Sequence, residues 1–192
     1  MKIRELGING CFLIEHDVFL DERGLFREWF KASVLEKLGI DFKIAQANFS
    51  VSAVGVIRGL HYSLSPDGQG KLVTCVQGGI TDYLVDIRVG SPTYLEKIGI
   101  ELDSNSGHSV LIASGVAHGF SVPKEMSAIC YLTSSEFSPE YEKGINPFDE
   151  DLNVDWALPI EVQSITSESD SESASFKKAL MSGDLPKYLS VL

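Results

Sequence analysis

The chain has 192 residues, of which 44% are hydrophobic, so it can bury one sizeable core and we expect a single domain over residues 1–192. The 27 acidic residues outnumber the 16 basic ones, and the formal net charge of -11 argues against nucleic acid and anionic membranes as partners. The amino terminus is too charged for a signal peptide and no apolar run reaches transmembrane length, so we expect a cytoplasmic protein.

Most segments of the chain have the composition of short strands, rich in β-branched or aromatic residues and separated by Gly, Pro, Ser or Asn. The predicted strands are residues 42–52, 71–76, 80–87, 98–102, 110–112 and 128–132. Residues 77–79 are typical of a hairpin turn, and residues 89–93 of another turn. Only residues 31–38, closed by Gly39, and residues 176–181 have helix character. This pattern predicts an all-β sandwich or barrel, with a jelly-roll barrel and short peripheral helices as the leading expectation.

The composition changes towards the carboxyl end. Residues 161–192 form an extension in which residues 164–175 are dense in Ser and Glu. Taken by itself, this composition favours a poorly ordered tail, because such a segment buries too little apolar surface to offset its ordering.

Cysteines and two of the histidines give little sign of chemistry. Cys11, Cys75 and Cys130 are odd in number, lack CxxC spacing and lie among apolar residues, so we expect buried free thiols. His16 and His108 have no partner at a useful spacing, and we predict that both lie at the surface.

One stretch is close to the second sequence motif of cupin barrels. Gly107, five residues, Ala113 and then Ser-Gly-Val-Ala-His describe a strand that enters a tight turn and delivers His118 into the mouth of a barrel. A metal-binding cupin also needs a His-x-His pair and a Glu, because a divalent ion requires three or four converging ligands. His61 is followed by Tyr62 and Ser63, so the ligand set is incomplete and we predict no metal and no other cofactor.

The segment around residues 56–62 carries the most informative polar groups. It places Arg58 and His61 on a β-prone stretch, and Lys71 follows on the next one. Such groups are costly to bury without a partner, which indicates a pocket for an anionic ligand with His61 as a base. On a regular strand Arg58 and His61 face opposite ways, so we predict a bulge at Gly59 that turns both into one pocket.

Seven motifs follow one another in the order seen in dTDP-4-dehydrorhamnose 3,5-epimerases, and the chain resembles that family over about residues 1–175. The motifs are FLDERGLFRE at 19–28, QANFSVS at 46–52, RGLHY at 58–62, QGKLV at 69–73, VDIRVGSPT at 85–93, AHGF at 117–120 and EKGI at 142–145. The resemblance implies a metal-independent cupin epimerase, and further implies a homodimer.

The resemblance implies roles that suit the chemistry of the side chains. A 4-keto-6-deoxyhexose has acidic C–H bonds at C3 and C5, so the reaction needs a base, a cation at the C4 oxygen and an acid on the opposite ring face. By this likeness His61 is the base, Lys71 stabilises the enolate and Tyr131 returns the proton. His118 is expected beside Lys71 as an auxiliary residue.

The base also needs a carboxylate that orients it. The family supplies an Asp in a Ser-Glu-Lys-Asp-like stretch, with which ITSESD at 165–170 aligns, so Asp170 is the candidate and Asp86 the alternative. Ser169 stands where the family has Lys. If Asp170 has this role, the Ser-rich tail must fold back over the barrel.

The remaining matches are expected to bind the dTDP part of the substrate. Arg23 and Arg58 suit the diphosphate, because a planar guanidinium can donate two parallel hydrogen bonds. By resemblance, the other residues of this site, contributed in part across a dimer interface by the amino-terminal segment, are Phe26, Glu28, Gln46 and Asn48.

Two departures leave the substrate and the stereochemistry open. Ser63 follows the His-Tyr pair where the family commonly has Gln, and Phe137 stands where a Tyr is common. The leading expectation is inversion at C3 and C5 of dTDP-4-dehydro-6-deoxy-D-glucose. A single-carbon epimerase of a related dTDP-4-keto-6-deoxy sugar, a sugar-nucleotide-binding module without catalysis and a metal cupin are the alternatives.

Overall fold

A computed structural model describes residues 2–37 and 39–188. Within them the chain forms strands for most of its regular structure, together with three short helices. The strands are β1 (Lys2–Glu5), β2 (Phe12–Glu15), β3 (Val18–Asp21), β4 (Gly24–Arg27), β5 (Gln46–Ser52), β6 (Ile57–Ser63), β7 (Lys71–Gln77), β8 (Gly79–Val85), β9 (Lys97–Asp103), β10 (His108–Ile112), β11 (Ala117–Ser121), β12 (Ser127–Thr133) and β13 (Glu142–Gly144). The helices are α1 (Ala32–Glu36), α2 (Glu168–Ser171) and α3 (Phe176–Ser182).

Two antiparallel sheets form the body of the molecule. The first has the order β1-β2-β10-β7-β12-β5 and the second the order β13-β6-β11-β8-β9, while β3 and β4 form a separate hairpin. Apolar side chains from both sheets, such as Val73 and Ile129 from the first and Leu84 and Phe120 from the second, meet in one buried cluster. This packing of two antiparallel sheets confirms the predicted all-β jelly-roll class.

The edge strand β5 shows how the sequence alternation positions the site. Its side chains alternate between more and less exposed positions along the strand. Gln46 and Asn48 point to the side that lines a cavity, whereas Phe49 and Val51 remain 66% and 49% exposed on the other side.

One predicted turn is wrong in its connectivity. Residues 77–79 do not close a hairpin, because β7 pairs with β10 and β12, and β8 pairs with β9 and β11. Gly78, with φ +69°, therefore carries the chain from one sheet to the other. The predicted turn at residues 89–93 does join two paired strands, β8 and β9.

The first predicted helix is shorter than expected. It covers Ala32–Glu36, and Leu38, which the prediction included, lies outside the described residues. Leu35 on α1 packs with Trp29 against Leu72, so this segment covers the outer face of the first sheet.

The Ser-rich segment at residues 164–175 is ordered, so the composition argument for disorder is wrong, and residues 189–192 of the predicted extension lie outside the described residues. Ser167 and Ser175 cap α2 and α3 with their hydroxyl groups, which accept hydrogen bonds from Asp170 N and Lys178 N. Backbone bridges also join the tail to the barrel, at Val56 with Ile165 and elsewhere. The serines therefore satisfy helix termini, a role that composition alone does not reveal.

His16 is not at the surface, contrary to prediction. Its side chain is 7% exposed, its Nε2 lies 2.9 Å from Ser109 Oγ, and burial lowers its pKa to about 4. His108 is half-buried.

Cys11 and Cys75 are buried free thiols as predicted, and Cys130 is half-buried and free. Among the residues described, no helix is long and apolar enough to cross a bilayer.

Candidate active site

Two adjoining cavities open between the sheets and share three side chains. The outer cavity has a volume of about 390 Å³ and the inner one about 160 Å³. His61, Lys71 and Tyr131 line both. The structure therefore brings together the base, the cation and the acid named from the sequence.

The predicted bulge in β6 is confirmed. His118 pairs with His61 and Phe120 with Arg58, so β6 has one residue more than β11 over this stretch. Gly59 adopts φ +132°, and a Cβ there would lie 2.6 Å from Gly119 Cα, so only glycine fits without displacement. Arg58 and His61 consequently both line the inner cavity.

His61 is paired with the carboxylate of Asp170. Its Nε2 lies 2.7 Å from Asp170 Oδ1, and Gly59 N donates to Asp170 Oδ2 at 3.3 Å. Burial alone would raise the pKa of Asp170, but the hydrogen bond and charge of His61 and the Gly59 donor hold that pKa below its usual range. A carboxylate only accepts hydrogen bonds, so Nε2 is the donor, and in the neutral imidazole Nδ1 then keeps a free lone pair. The His61 side chain is 45% exposed and therefore accessible to a ligand.

Asp86, the alternative partner for His61, is engaged elsewhere. It accepts hydrogen bonds from Arg88 Nε and Nη2 at 2.7 Å each, and from Ser91 and Thr93 hydroxyls at 2.6 Å. The group is fully buried, and these donors hold its pKa below the usual value although burial opposes them. Asp86 thus organises the loop between β8 and β9, and the alternative pairing with His61 is wrong.

Lys71 begins β7 and projects into the cavities from a buried position. It is 9% exposed, and in the described part of the chain its ammonium has no hydrogen-bond partner. Burial lowers its pKa, and the charges of Glu142 and Asp82 oppose that change. A cation without a fixed partner is available to an anionic group of a ligand.

Tyr131 lies on β12 between Asn48 of β5 and Val73 of β7. Burial raises the pKa of its phenol, while the charge of Arg58 acts in the opposite direction. The phenol is therefore protonated near neutral pH and can donate a proton or a hydrogen bond.

His118 and Asp82 form a second buried pair beside Lys71. His118 Nε2 lies 2.7 Å from Asp82 Oδ1, and His118 lines the inner cavity. Within the described residues Asp82 Oδ2 has no partner. Arg58, on the same cavity, donates from Nε to Ser52 Oγ at 3.0 Å. The turn that delivers His118 follows the predicted cupin motif, since β10 ends at Ile112 and β11 starts at Ala117.

The residues named for nucleotide binding fall into two groups. Gln46 and Asn48 line the outer cavity and are joined by a hydrogen bond of 2.7 Å. Arg23, Phe26 and Glu28 line neither cavity. Arg23 lies at the tip of the β3–β4 hairpin with an 85% exposed side chain that pairs with Asp21, Phe26 is 65% exposed, and Glu28 pairs with Lys31 at 3.3 Å.

Glu142 belongs to the site although the sequence pattern predicts no role for it beyond its place in the motif at 142–145. It lies on β13 beside β6, lines the outer cavity, and is close enough to influence the pKa of both Lys71 and Tyr131. Phe137, 60% exposed, lines the same cavity.

Among the residues described there is no cluster of three or more His, Cys, Asp or Glu side chains that could hold a metal ion.

Comparisons with known proteins agree with this geometry. A sequence model of the dTDP-4-dehydrorhamnose 3,5-epimerase family matches residues 5–178. A dTDP-4-dehydrorhamnose 3-epimerase of Streptomyces niveus is 39% identical, with 98% of this chain and 90% of the relative covered. A dTDP-4-dehydrorhamnose 3,5-epimerase of Mycobacterium tuberculosis is 38% identical, with 98% and 94% covered.

Solved structures are similar over the same length. An epimerase of Mycobacterium tuberculosis superimposes with a TM-score of 0.93 at 38% identity, covering 98% of this chain and 94% of that one. A 3,5-epimerase of Legionella pneumophila in complex with dTDP-4-keto-L-rhamnose gives 0.90 at 37% identity, covering 98% and 99%.

Proposed function

The chain belongs to the dTDP-4-dehydrorhamnose 3,5-epimerase family, and on that premise we propose that it inverts C3 and C5 of dTDP-4-dehydro-6-deoxy-D-glucose to give dTDP-4-dehydro-L-rhamnose. One observation carries the proposal. The His61–Asp170 pair, Lys71 and Tyr131 line the same cavities, so a base, a cation and an acid surround one space.

His61 serves as the base. With its Nε2 proton held by Asp170, Nδ1 can take the proton from a carbon next to the C4 ketone. The ionised Asp170 stabilises the imidazolium that forms, and fixes the ring orientation. The electrons of the broken C–H bond move into the C3–C4 or C4–C5 bond and leave negative charge on the C4 oxygen.

Lys71 stabilises that charge. A buried ammonium interacts more strongly with the enolate than with the neutral ketone, so it lowers the barrier. Tyr131, protonated near neutral pH, then returns a proton to the carbon from the opposite ring face, and the configuration inverts.

In this proposal, two subunits share the residues that bind the dTDP part of the substrate. Gln46, Asn48, Arg58 and His118 act within the chain, because they line the cavities that hold the catalytic groups. The arm, which we define as the β3–β4 hairpin at residues 18–27, carries Arg23 and Phe26, with Glu28 just beyond it, to the site of a second copy.

Exposed apolar surface supports the homodimer. On the arm, Phe19, Leu20 and Phe26 are 59%, 78% and 65% exposed, and on the edge strand β5 Phe49 is 66% exposed. Covering such exposed apolar side chains with a second copy lowers the free energy and so favours association.

We further propose that residues 1–192 act as one domain in the cytoplasm, without a metal or other cofactor.

A single-carbon epimerase is the second candidate, favoured by several relatives that are 3-epimerases. The Streptomyces niveus protein, 39% identical, is a 3-epimerase. By the resemblance drawn from the sequence, Phe137, which lines the outer cavity, stands where a Tyr is common.

Incubation with substrate in deuterated water, followed by NMR, tests the proposal. Deuterium at both C3 and C5 of the sugar, with both carbons inverted, is the expected result. Label at one carbon supports the single-carbon epimerase, and binding of dTDP without any label identifies a binding module and overturns the proposal.

A further inference from the structure

Asn146 lies between the segment that carries Asp170 and the segment that carries His61. It lies two residues after the end of β13, and its side-chain Nδ2 donates to Ser171 O at 2.6 Å. Its backbone N donates to Ala174 O at 3.0 Å, and its Oδ1 accepts from Phe148 N at 2.8 Å. Ser171 is the residue after Asp170, so Asn146 holds the end of the helix that carries the carboxylate.

The other side of this connection reaches the base. Ile145, the residue before Asn146, exchanges two backbone hydrogen bonds with Leu60, at 2.9 and 3.1 Å. Leu60 precedes His61. Residues 145–146 therefore join the strand that carries His61 to the segment that carries Asp170.

Helix α2 needs such support because it has only four residues. A helix of that length is unstable by itself, and its last carbonyl groups have no partner within the helix. Ser167 caps its start, where its hydroxyl accepts from Asp170 N at 3.0 Å. The side chain of Asn146 binds a carbonyl at its other end.

We propose that Asn146 is a positioning residue that keeps the Asp170 carboxylate on His61. Asn146 lines neither cavity, so it acts on the reaction through Asp170 and not by touching substrate. The inference rests on the proposed function and deepens it by naming a residue that positions the carboxylate partner of the base.

The test compares Asn146→Ala with the unchanged protein. We expect kcat to fall by roughly tenfold to a hundredfold, the usual loss when a supporting partner is removed, with KM little changed. Asn9→Ala is the matched control, because it also removes an Asn side chain that binds the tail, at 3.1 Å from Tyr188 OH, and it lies outside both cavities. Asn9→Ala should keep the kcat of the unchanged protein.

A double-mutant cycle separates positioning from general destabilisation. In the Asp170→Asn background the carboxylate is already lost, so adding Asn146→Ala should lower the residual exchange rate no further. An equal fold-loss in both backgrounds, or an unchanged kcat in Asn146→Ala, would overturn the inference. Thermal unfolding of each variant shows whether the assayed protein is folded, and kcat is then referred to the folded fraction.

The outcome also distinguishes this inference from the proposed function. If the unchanged protein shows no deuterium exchange, the proposed function fails. If it exchanges normally and Asn146→Ala matches it, only the role of Asn146 is wrong.

Discussion

Lys71 is the residue whose charge state controls the proposed transition state. Because burial lowers its pKa, its ammonium loses the proton at a lower pH than an exposed lysine does. Activity should therefore decline on the alkaline side before an ordinary lysine, with a pKa of about 10.4, would titrate.

Replacement of Lys71 tests whether its ammonium stabilises the enolate. Lys71→Met removes the charge and should lower kcat by roughly 10²- to 10³-fold, while dTDP still binds. Steady-state kinetics and dTDP titration measure the two effects. The exposed Lys178→Met is the control, and a Lys71→Met variant with an unchanged kcat would contradict the assigned role.

Residue identities in the site are predictable where each residue lies in a local motif. The motifs containing His61, Lys71 and His118 are sufficient to name these cavity residues from the sequence. Glu142 also lies in a local motif, but the motif does not reveal its influence on Lys71 and Tyr131. That influence depends on the pairing of β13 with β6, which joins residues distant in sequence.

The bulge in β6 is the element that turns Arg58 and His61 into one cavity. Gly59→Ala would place a Cβ 2.6 Å from Gly119 Cα and 3.0 Å from His118 O, at φ +132°. We expect a loss of several kcal/mol in the free energy of unfolding, from strain and displaced backbone, together with loss of activity.

Gly183→Ala is the matched control for that substitution. Gly183 also has a positive φ, +76°, but nothing lies within 4 Å of a Cβ there, so the change should cost only about 1 kcal/mol. Urea denaturation measures both variants. Equal destabilisation by the two substitutions would show that the close approach to Gly119 is not limiting.

His16, between β2 and β3, should make the stability of the folded protein sensitive to acid. Burial, and then the charge of Arg27, lower the pKa of His16 to about 4, whereas an unfolded chain has a His pKa near 6.5. Between these values the unfolded state binds the proton and the folded state does not, so stability falls as pH falls.

The size of this effect is about 3 kcal/mol between neutral pH and pH 4, from the pKa difference alone. His16→Gln should flatten that part of the stability curve, measured by urea denaturation at a series of pH values. Identical acid slopes for the variant and the unchanged protein would contradict the assignment.

Elements are predictable as far as local pattern decides them. Gly78 and Gly79 correctly indicate a turn, but a turn signal does not say which strands pair, so the pattern predicts a hairpin where the chain makes a corner between sheets. Composition misjudges the tail because Ser167 and Ser175 act as helix caps, which depends on position and not on frequency.

The arm is the part of the molecule whose proposed role needs a second copy of the chain. Arg23 lies on the arm and lines neither cavity of its own chain. Its proposed role therefore depends on a second copy, and no pattern in one sequence specifies how two copies meet.

Mixing two inactive variants tests the shared site. In a dimer of Arg23→Ala and His61→Asn subunits, one site combines an intact His61 with an intact arm from the other subunit. Random pairing makes half of the dimers mixed, so about a quarter of the activity should return, assayed below KM. If the arm serves its own subunit, mixing restores nothing.

The most direct measurement compares the isotope content and the configuration of the sugar recovered from deuterated water for Tyr131→Phe and His61→Asn. Tyr131→Phe keeps the base, so it should exchange the C–H protons without inverting the carbons, because the proton returns from the face it left. His61→Asn should give neither exchange nor inversion. Exchange that persists in His61→Asn, or inversion that persists in Tyr131→Phe, would contradict a base and an acid placed on opposite faces of the sugar.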